Sequence, residues 1–330
     1  MRMPSLPRLL VTTVVVMALT AACGGGATDT AADQGGSLEK SALTIGMLPL
    51  PEVAPVQIAI SKGYFKEEGL DVKFTLIRGG GAALPSLQSG QFDILHSNHI
   101  SAFTAAANKV ADLRIVAEAD VGTPGNFVIT SAPSSNITKV EDLKGKKVGV
   151  NTLKNVATLT TSAHLKVKGI DPDRDVKFVE LPFPTMWQAI KSGQVDAGFL
   201  PEPFLTAAST DGATKVVDVI GGPTDNFPIA GYYVTSEFLS KNPKTVAAFQ
   251  RGLLKAQKLA ASDRKEVEKA LPVYAKIDEK TASLMQLPGF PITMNVQRLQ
   301  RVADLMVEFG YLKEPFKAET LTAGVPEVQG

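Results

Sequence analysis

The chain has 330 residues, 44% of them hydrophobic, with 34 Lys and Arg against 33 Asp and Glu and a single cysteine. The near-neutral balance without a sustained basic run argues against nucleic acid as a partner, and a lone thiol excludes disulfides, cysteine zinc sites and CxxC redox chemistry. A chain of this size buries a large core and usually divides into two lobes.

Arg2 and Arg8 precede an uncharged, mostly apolar run from Leu9 to Ala22, which ends at Cys23. That run is too short to span a bilayer comfortably, and the pattern predicts a signal peptide over residues 1–22. Leu19-Thr20-Ala21-Ala22-Cys23 resembles the lipobox of bacterial lipoproteins, which implies lipidation at Cys23, although Thr20 stands where a large aliphatic residue is usual. From Gly24 to about Ala42 the chain is mostly Gly, Ala, Ser, Thr and Asp without apolar periodicity, so residues 23–42 read as the lipidated Cys and a flexible tether reaching about 25 Å. Removing the signal takes away Arg2 and Arg8, leaving 32 basic against 33 acidic residues. No later run approaches transmembrane length, so a soluble body outside the cytoplasmic membrane is expected.

Leu43–Leu48 predicts a strand buried on both faces, with Leu48, Pro49 and Glu52 in the loop beyond it. A helix over Ala54–Ser61, ended by Gly63, and a strand over Val72–Ile77 follow. Gly79-Gly80-Gly81 then admits either close approach of a ligand to the backbone or a tight turn alone, and no GxxxxGK[ST] or GxGxxG surrounds it to suggest a nucleotide. After the helix beginning at Ala82 comes a strand over Phe92–Leu95 and a polar loop, His96-Ser97-Asn98-His99. Further on, Lys147–Val150 is a strand, Asn151 and Thr152 lie in its end loop, and Val156–Lys168 is a helix ended by Gly169. Thr152 and Thr158 offer hydroxyls to a ligand or serve as plain caps. The loop Leu181–Trp187 holds Thr185 and the chain's one tryptophan, Trp187, which either stacks on a planar ligand or anchors its helix. A strand over Val195–Leu200 leads to Pro201-Glu202-Pro203, where Glu202 faces a cleft or braces a hinge. Lys244–Leu259 and Val296–Phe309 are helical by spacing and are expected to pack on the first lobe.

Ser89-Gly90-Gln91-Phe92-Asp93 returns as Ser192-Gly193-Gln194-Val195-Asp196, an offset of 103 residues. Thr44–Met47 and Lys147–Val150 share the same offset, while Gly69-Leu70-Asp71 and Val72-Lys73-Phe74 recur at 100 and 104, so residues 172–175 read as an insertion. Four matches in order point to a duplicated strand-helix-strand-helix-strand unit; convergence on shared turn chemistry is the alternative. Asn126–Ser131 and Gly231–Ser236 are also alike and bracket the second unit, which predicts that both cross between lobes.

Together, Ser61–Val72, the glycine turn, both Ser-Gly-Gln-x-Asp motifs, Val140–Val150 and Glu202-Pro203 resemble the extracytoplasmic solute-binding proteins that feed nitrate, sulfonate, taurine and thiamine-precursor ABC importers. The likeness runs roughly from residue 42 to 315. It implies two doubly wound α/β lobes of the type II periplasmic-binding-protein fold, joined by a two-strand hinge that closes over a ligand cleft. Lobe 1 is then residues 43–128 with 232–330, and lobe 2 is residues 129–231. Partners would be a small-molecule ligand, an ABC permease with its ATPase, and the membrane through a lipid anchor, with the receptor itself a monomer on the outer face of the cell membrane.

The candidate ligand-binding residues are Leu48, Pro49, Glu52, Gly80, Gly81, Ser97, Asn98, His99, Asn151, Thr152, Thr158, Thr185, Trp187 and Glu202. No cofactor, metal or catalytic residue is expected: His96 and His99 lack an obvious third ligand, and no GxSxG or HExxH is present. None of the candidates is an arginine, although Arg78 and Lys154 lie close by, so a planar or weakly charged organic ligand ranks above nitrate or sulfonate. Two other functions share the architecture. One is a vitamin-precursor enzyme; the thiamine-pyrimidine synthases carry a Cys-rich motif that this chain lacks. The other is a ligand-sensing lipoprotein.

Overall fold

The computed structural model describes residues 37–327; the expected signal, Cys23 and most of the tether lie outside them. Among the described residues the strands are β1 (Ala42–Met47), β2 (Asp71–Leu76), β3 (Ile94–Asn98), β4 (Leu113–Val121), β5 (Phe127–Ser131), β6 (Lys147–Val150), β7 (Lys177–Glu180), β8 (Ala197–Pro201), β9 (Thr214–Asp218) and β10 (Pro228–Thr235). They form two five-stranded sheets, ordered β2-β1-β3-β10-β4 and β7-β6-β8-β5-β9. In each, three parallel strands are followed by two antiparallel pairings, so the sheets share one plan. The fold is mixed α/β. Helices Ala54–Lys62, Pro243–Ser262 and Arg264–Ala275 pack together, and Val296–Glu308 packs on His99–Ala107.

The repeated motif acts the same way in both sheets. Gly90 and Gly193 take left-handed backbone, φ 75° and 73°, which ends the preceding helix at no steric cost. Three residues later an aspartate clips the start of the first strand: Asp93 accepts from the Thr44 N–H at 2.9 Å, and Asp196 from the Lys147 N–H at 2.8 Å. Gly46 and Gly149, equivalent in the repeat, lie against Phe92 and Met186, so the returning helix-strand corner sits tight on the strand. Residues 172–175 form one helical turn of their own, Pro172–Asp175.

Four expectations change. Phe183–Trp187, read as loop, open the helix Phe183–Lys191, so Thr185 and Trp187 are helical. His96, Ser97 and Asn98 are not loop: β3 runs through Asn98, because β10 pairs with it from Leu95↔Tyr233 to Asn98↔Ala230, and His99 opens the next helix. Glu39 and Lys40, read as tether, are held. The Glu39 carboxylate accepts from the N–H groups of Lys244 and Thr245, and the Lys40 ammonium pairs with Asp93. The matching segments at 126–131 and 231–236 hold equivalent places, since β5 and β10 are each the fourth strand of a sheet. Each lies whole in its own sheet, and the chain passes between sheets at 122–126 and 219–227.

Candidate functional site

In open α/β sheets, ligands sit beyond the carboxyl ends of parallel strands, where loops and helix N-termini converge. Here those ends carry Leu48, Pro49 and Glu52 after β1, Gly80 and Gly81 after β2, and Ser97 and Asn98 at the end of β3. On the second sheet they carry Asn151 and Thr152 after β6, and Glu202 after β8. The two groups meet at the start of helix Val156–Val167. Its cap, Asn155, sends its side-chain N–H to Ser101 Oγ at 3.0 Å, and Ser101 lies on the helix that follows β3. Beside it, Thr158 accepts from the Asn155 N–H at 2.8 Å and from the Tyr311 hydroxyl at 2.6 Å.

Other candidates are engaged locally. Asn98 caps its helix by accepting from Ser101 N–H at 2.9 Å. Gly80 is pressed against Ser97 on β3 and Gly81 against Ser101 on the helix that follows, so both glycines serve packing of the turn after β2 on this strand-helix corner. Among the described residues the one side-chain hydrogen bond of Asn151 and Thr152 is from Asn151 to the Thr152 hydroxyl, at 3.4 Å, and Thr185 donates to the Pro182 carbonyl within its own turn. Trp187 donates to Asp211 at 2.7 Å under the Lys191 ammonium, which bracing of the second sheet's helices explains without a ligand. Glu202 is buried and accepts from Thr206 N–H, Thr206 Oγ1 and the Gln286 N–H, so it ties the end of β8 to the C-terminal segment. A cavity of about 450 Å³ opens beside it, bounded also by Gly125, Thr130 and Lys215.

The first sheet holds unusual chemistry. Glu52 is 5% exposed, and burial pushes its carboxyl up to about 7. Asp120, on β4, is fully buried; burial first, then the Glu52 charge, holds it well above the usual carboxylate range. His96 and His99 are buried and pushed down to about 3 by desolvation, hence neutral at physiological pH. His99 Nδ1 shares a hydrogen bond with the Tyr233 hydroxyl. Among the described residues no group of three His, Cys, Asp or Glu is placed to hold a metal. Asp120, Asn155 and Ser101 were not singled out from sequence: Asp120 sits inside a strand without a local signal, and the Asn155–Ser101 contact joins residues 54 apart.

A family model described as "NMT1/THI5 like" matches residues 50–267. The chain belongs to that family. The taurine-binding periplasmic protein of Escherichia coli is 26% identical over 72% of this chain and 70% of its own length. The nitrate import ATP-binding protein NrtC of Synechocystis is 25% identical over 87% of this chain, which spans only 46% of that relative. The crystal structure of the periplasmic aliphatic sulphonate binding protein SsuA from E. coli superposes with a TM-score of 0.71 at 22% identity, covering 85% of this chain and 96% of that one. That likeness establishes the periplasmic-binding-protein fold.

Proposed function

We propose that this protein is an extracytoplasmic solute receptor, lipid-anchored at Cys23, that captures a small organic molecule between two lobes and delivers it to an ABC importer. The observation that carries the reading is the seam: two sheets of one plan meet by their strand-end loops, bridged by Asn155–Ser101 and Thr158–Tyr311. A ligand that bonds both sides favours the closed arrangement by its differential affinity for it. One lobe is built on the first sheet with the C-terminal helices, roughly residues 43–121 and 228–330, and the other on the second sheet, roughly residues 127–218. Family membership supports the binding role, and the relatives' names put taurine, nitrate and sulphonates among the compounds to try.

The test is a thermal-shift screen of the purified protein against sulfonates, nitrate, vitamin precursors and aromatic acids. At least one compound should raise the melting temperature, and a replacement at the seam should abolish the rise; no rise with any compound sinks the reading. Cys23→Ser should release the protein from membranes, and continued retention would overturn the lipid anchor.

A further inference from the structure

The first sheet carries buried polar atoms without a well-formed hydrogen bond among the described residues: both ring nitrogens of His96, the Tyr232 hydroxyl and both oxygens of Asp120, beside which only the Ala230 N–H lies. Asp120 and Tyr232 are 0% exposed and His96 is 1% exposed. They converge. His96 and Tyr232 are cross-strand neighbours on β3 and β10 with ring centroids 5.7 Å apart. Asp120 pairs with Ala230, two residues from Tyr232 on β10, beside a register shift between Ala230 and Gly231, and its charge acts on the Tyr232 hydroxyl. Glu52 lies in the turn after β1, Pro51–Val53, which packs against β4, and the Tyr274 hydroxyl donates to the Leu50 carbonyl just before that turn; its charge opposes ionisation of Asp120, Tyr232 and Tyr274.

These groups form an acceptor-rich buried cluster without a countercharge among the described residues. No Lys or Arg among the described residues pairs with Glu52 or Asp120, and Arg298 is committed to Glu118 by two hydrogen bonds. With Glu52 ionised, an oxyanion would meet a carboxylate, the opposite of the donors that oxyanions require. A compact cation with several N–H bonds matches every group present. We propose that Glu52, Asp120, His96 and Tyr232 form the subsite for a protonated primary amine carried by the organic ligand. This deepens the receptor reading and rests on it.

The test uses propylammonium chloride as a fragment, with sodium chloride at equal concentration as control, on the purified protein. At pH 8 propylammonium should raise the melting temperature of the wild type and leave those of Glu52→Gln and Asp120→Asn unchanged. The groups facing Glu52 are Asp120, Tyr232 and Tyr274, with Glu118 acting on Asp120. With Glu52 titrating at about 7, binding should be about tenfold weaker at pH 6 than at pH 8. An equal shift in wild type and both variants, or no shift beyond that of sodium, overturns the subsite. If propylammonium fails while a nitrogen-free compound from the screen binds, this inference falls and the receptor reading stands; if nothing binds, both fall.

Discussion

Gly80→Ala isolates what the glycine turn after β2 is for. The native backbone at Gly80 is φ −61°, ψ −45°, which any residue adopts, so alanine brings no conformational strain. The added Cβ, however, would lie 2.3 Å from Ser97 Oγ and 2.6 Å from Ser97 Cα. Ser97 cannot yield easily, being fully buried in β3 and paired with Gly231 on β10. Ordinary contact begins at 3.4 Å, so the two backbones must part by about 0.8 Å, an overpacking that costs about 1–3 kcal/mol. At about 2–4 °C per kcal/mol for large domains, melting should fall by several degrees. Removing the Ser97 side chain as well should recover only part, because the contact to Cα remains. Gly79 supplies the control: nothing lies within 4 Å of its would-be Cβ, and Gly79→Ala should melt with the wild type. Urea unfolding and thermal melting of the three variants decide it. Gly80→Ala melting like Gly79→Ala would refute the close approach and return the glycine to a ligand-contacting role.

Stability should also fall as pH rises through the titration of Glu52. Its folded carboxyl titrates at about 7 against an ordinary 4.5, so the folded state holds the extra proton between those values, and stability present below about pH 4.5 is lost as pH rises to 7. The loss is on the order of 3 kcal/mol, Asp120 acts in the same direction, and urea midpoints from pH 5 to 8 should decline less in Glu52→Gln; an equal decline would remove Glu52 as the cause. Arg298→Ala leaves the buried Glu118 carboxylate, 1% exposed, with only the Asn295 N–H, and should cost about 3–5 kcal/mol in denaturant unfolding. Glu118→Gln with Arg298→Met should recover much of that loss, and no recovery would mean that packing dominates. Once a ligand is known, Ser101→Ala should weaken its binding about fivefold, the worth of one hydrogen bond of about 1 kcal/mol; unchanged affinity would show that the Asn155 contact does not help closure.

Much of the fold was legible because its signals are local. Glycines at 63, 90, 169 and 193 mark helix ends wherever they were read as doing so, each with positive φ, and the 103-residue offset anticipates two sheets of like order. Distant pairings were not legible. His96–Asn98 look like a polar loop until β10, more than 130 residues away, pairs with them. In the candidate site, Glu52 was found from its place after a strand, whereas Asp120 is one of three charged residues inside β4, and only the folded sheet sets it apart. Trp187 and Glu202 drew attention by rarity and by neighbouring prolines, yet both are bound to side chains or backbone of their own surroundings.

The return of the chain from the second sheet to the first also sets an order of assembly. All five strands of the second sheet lie within residues 127–218, so that sheet has every partner it needs as one unbroken stretch of chain. The first sheet begins earlier and must wait. β4 hydrogen-bonds only to β10 within its sheet, so it remains an orphan from residue 121 until residue 228 arrives. The sheet that starts second is therefore the one able to finish first, and a chain stopped between β9 and β10 would hold one complete sheet beside one left open at β3.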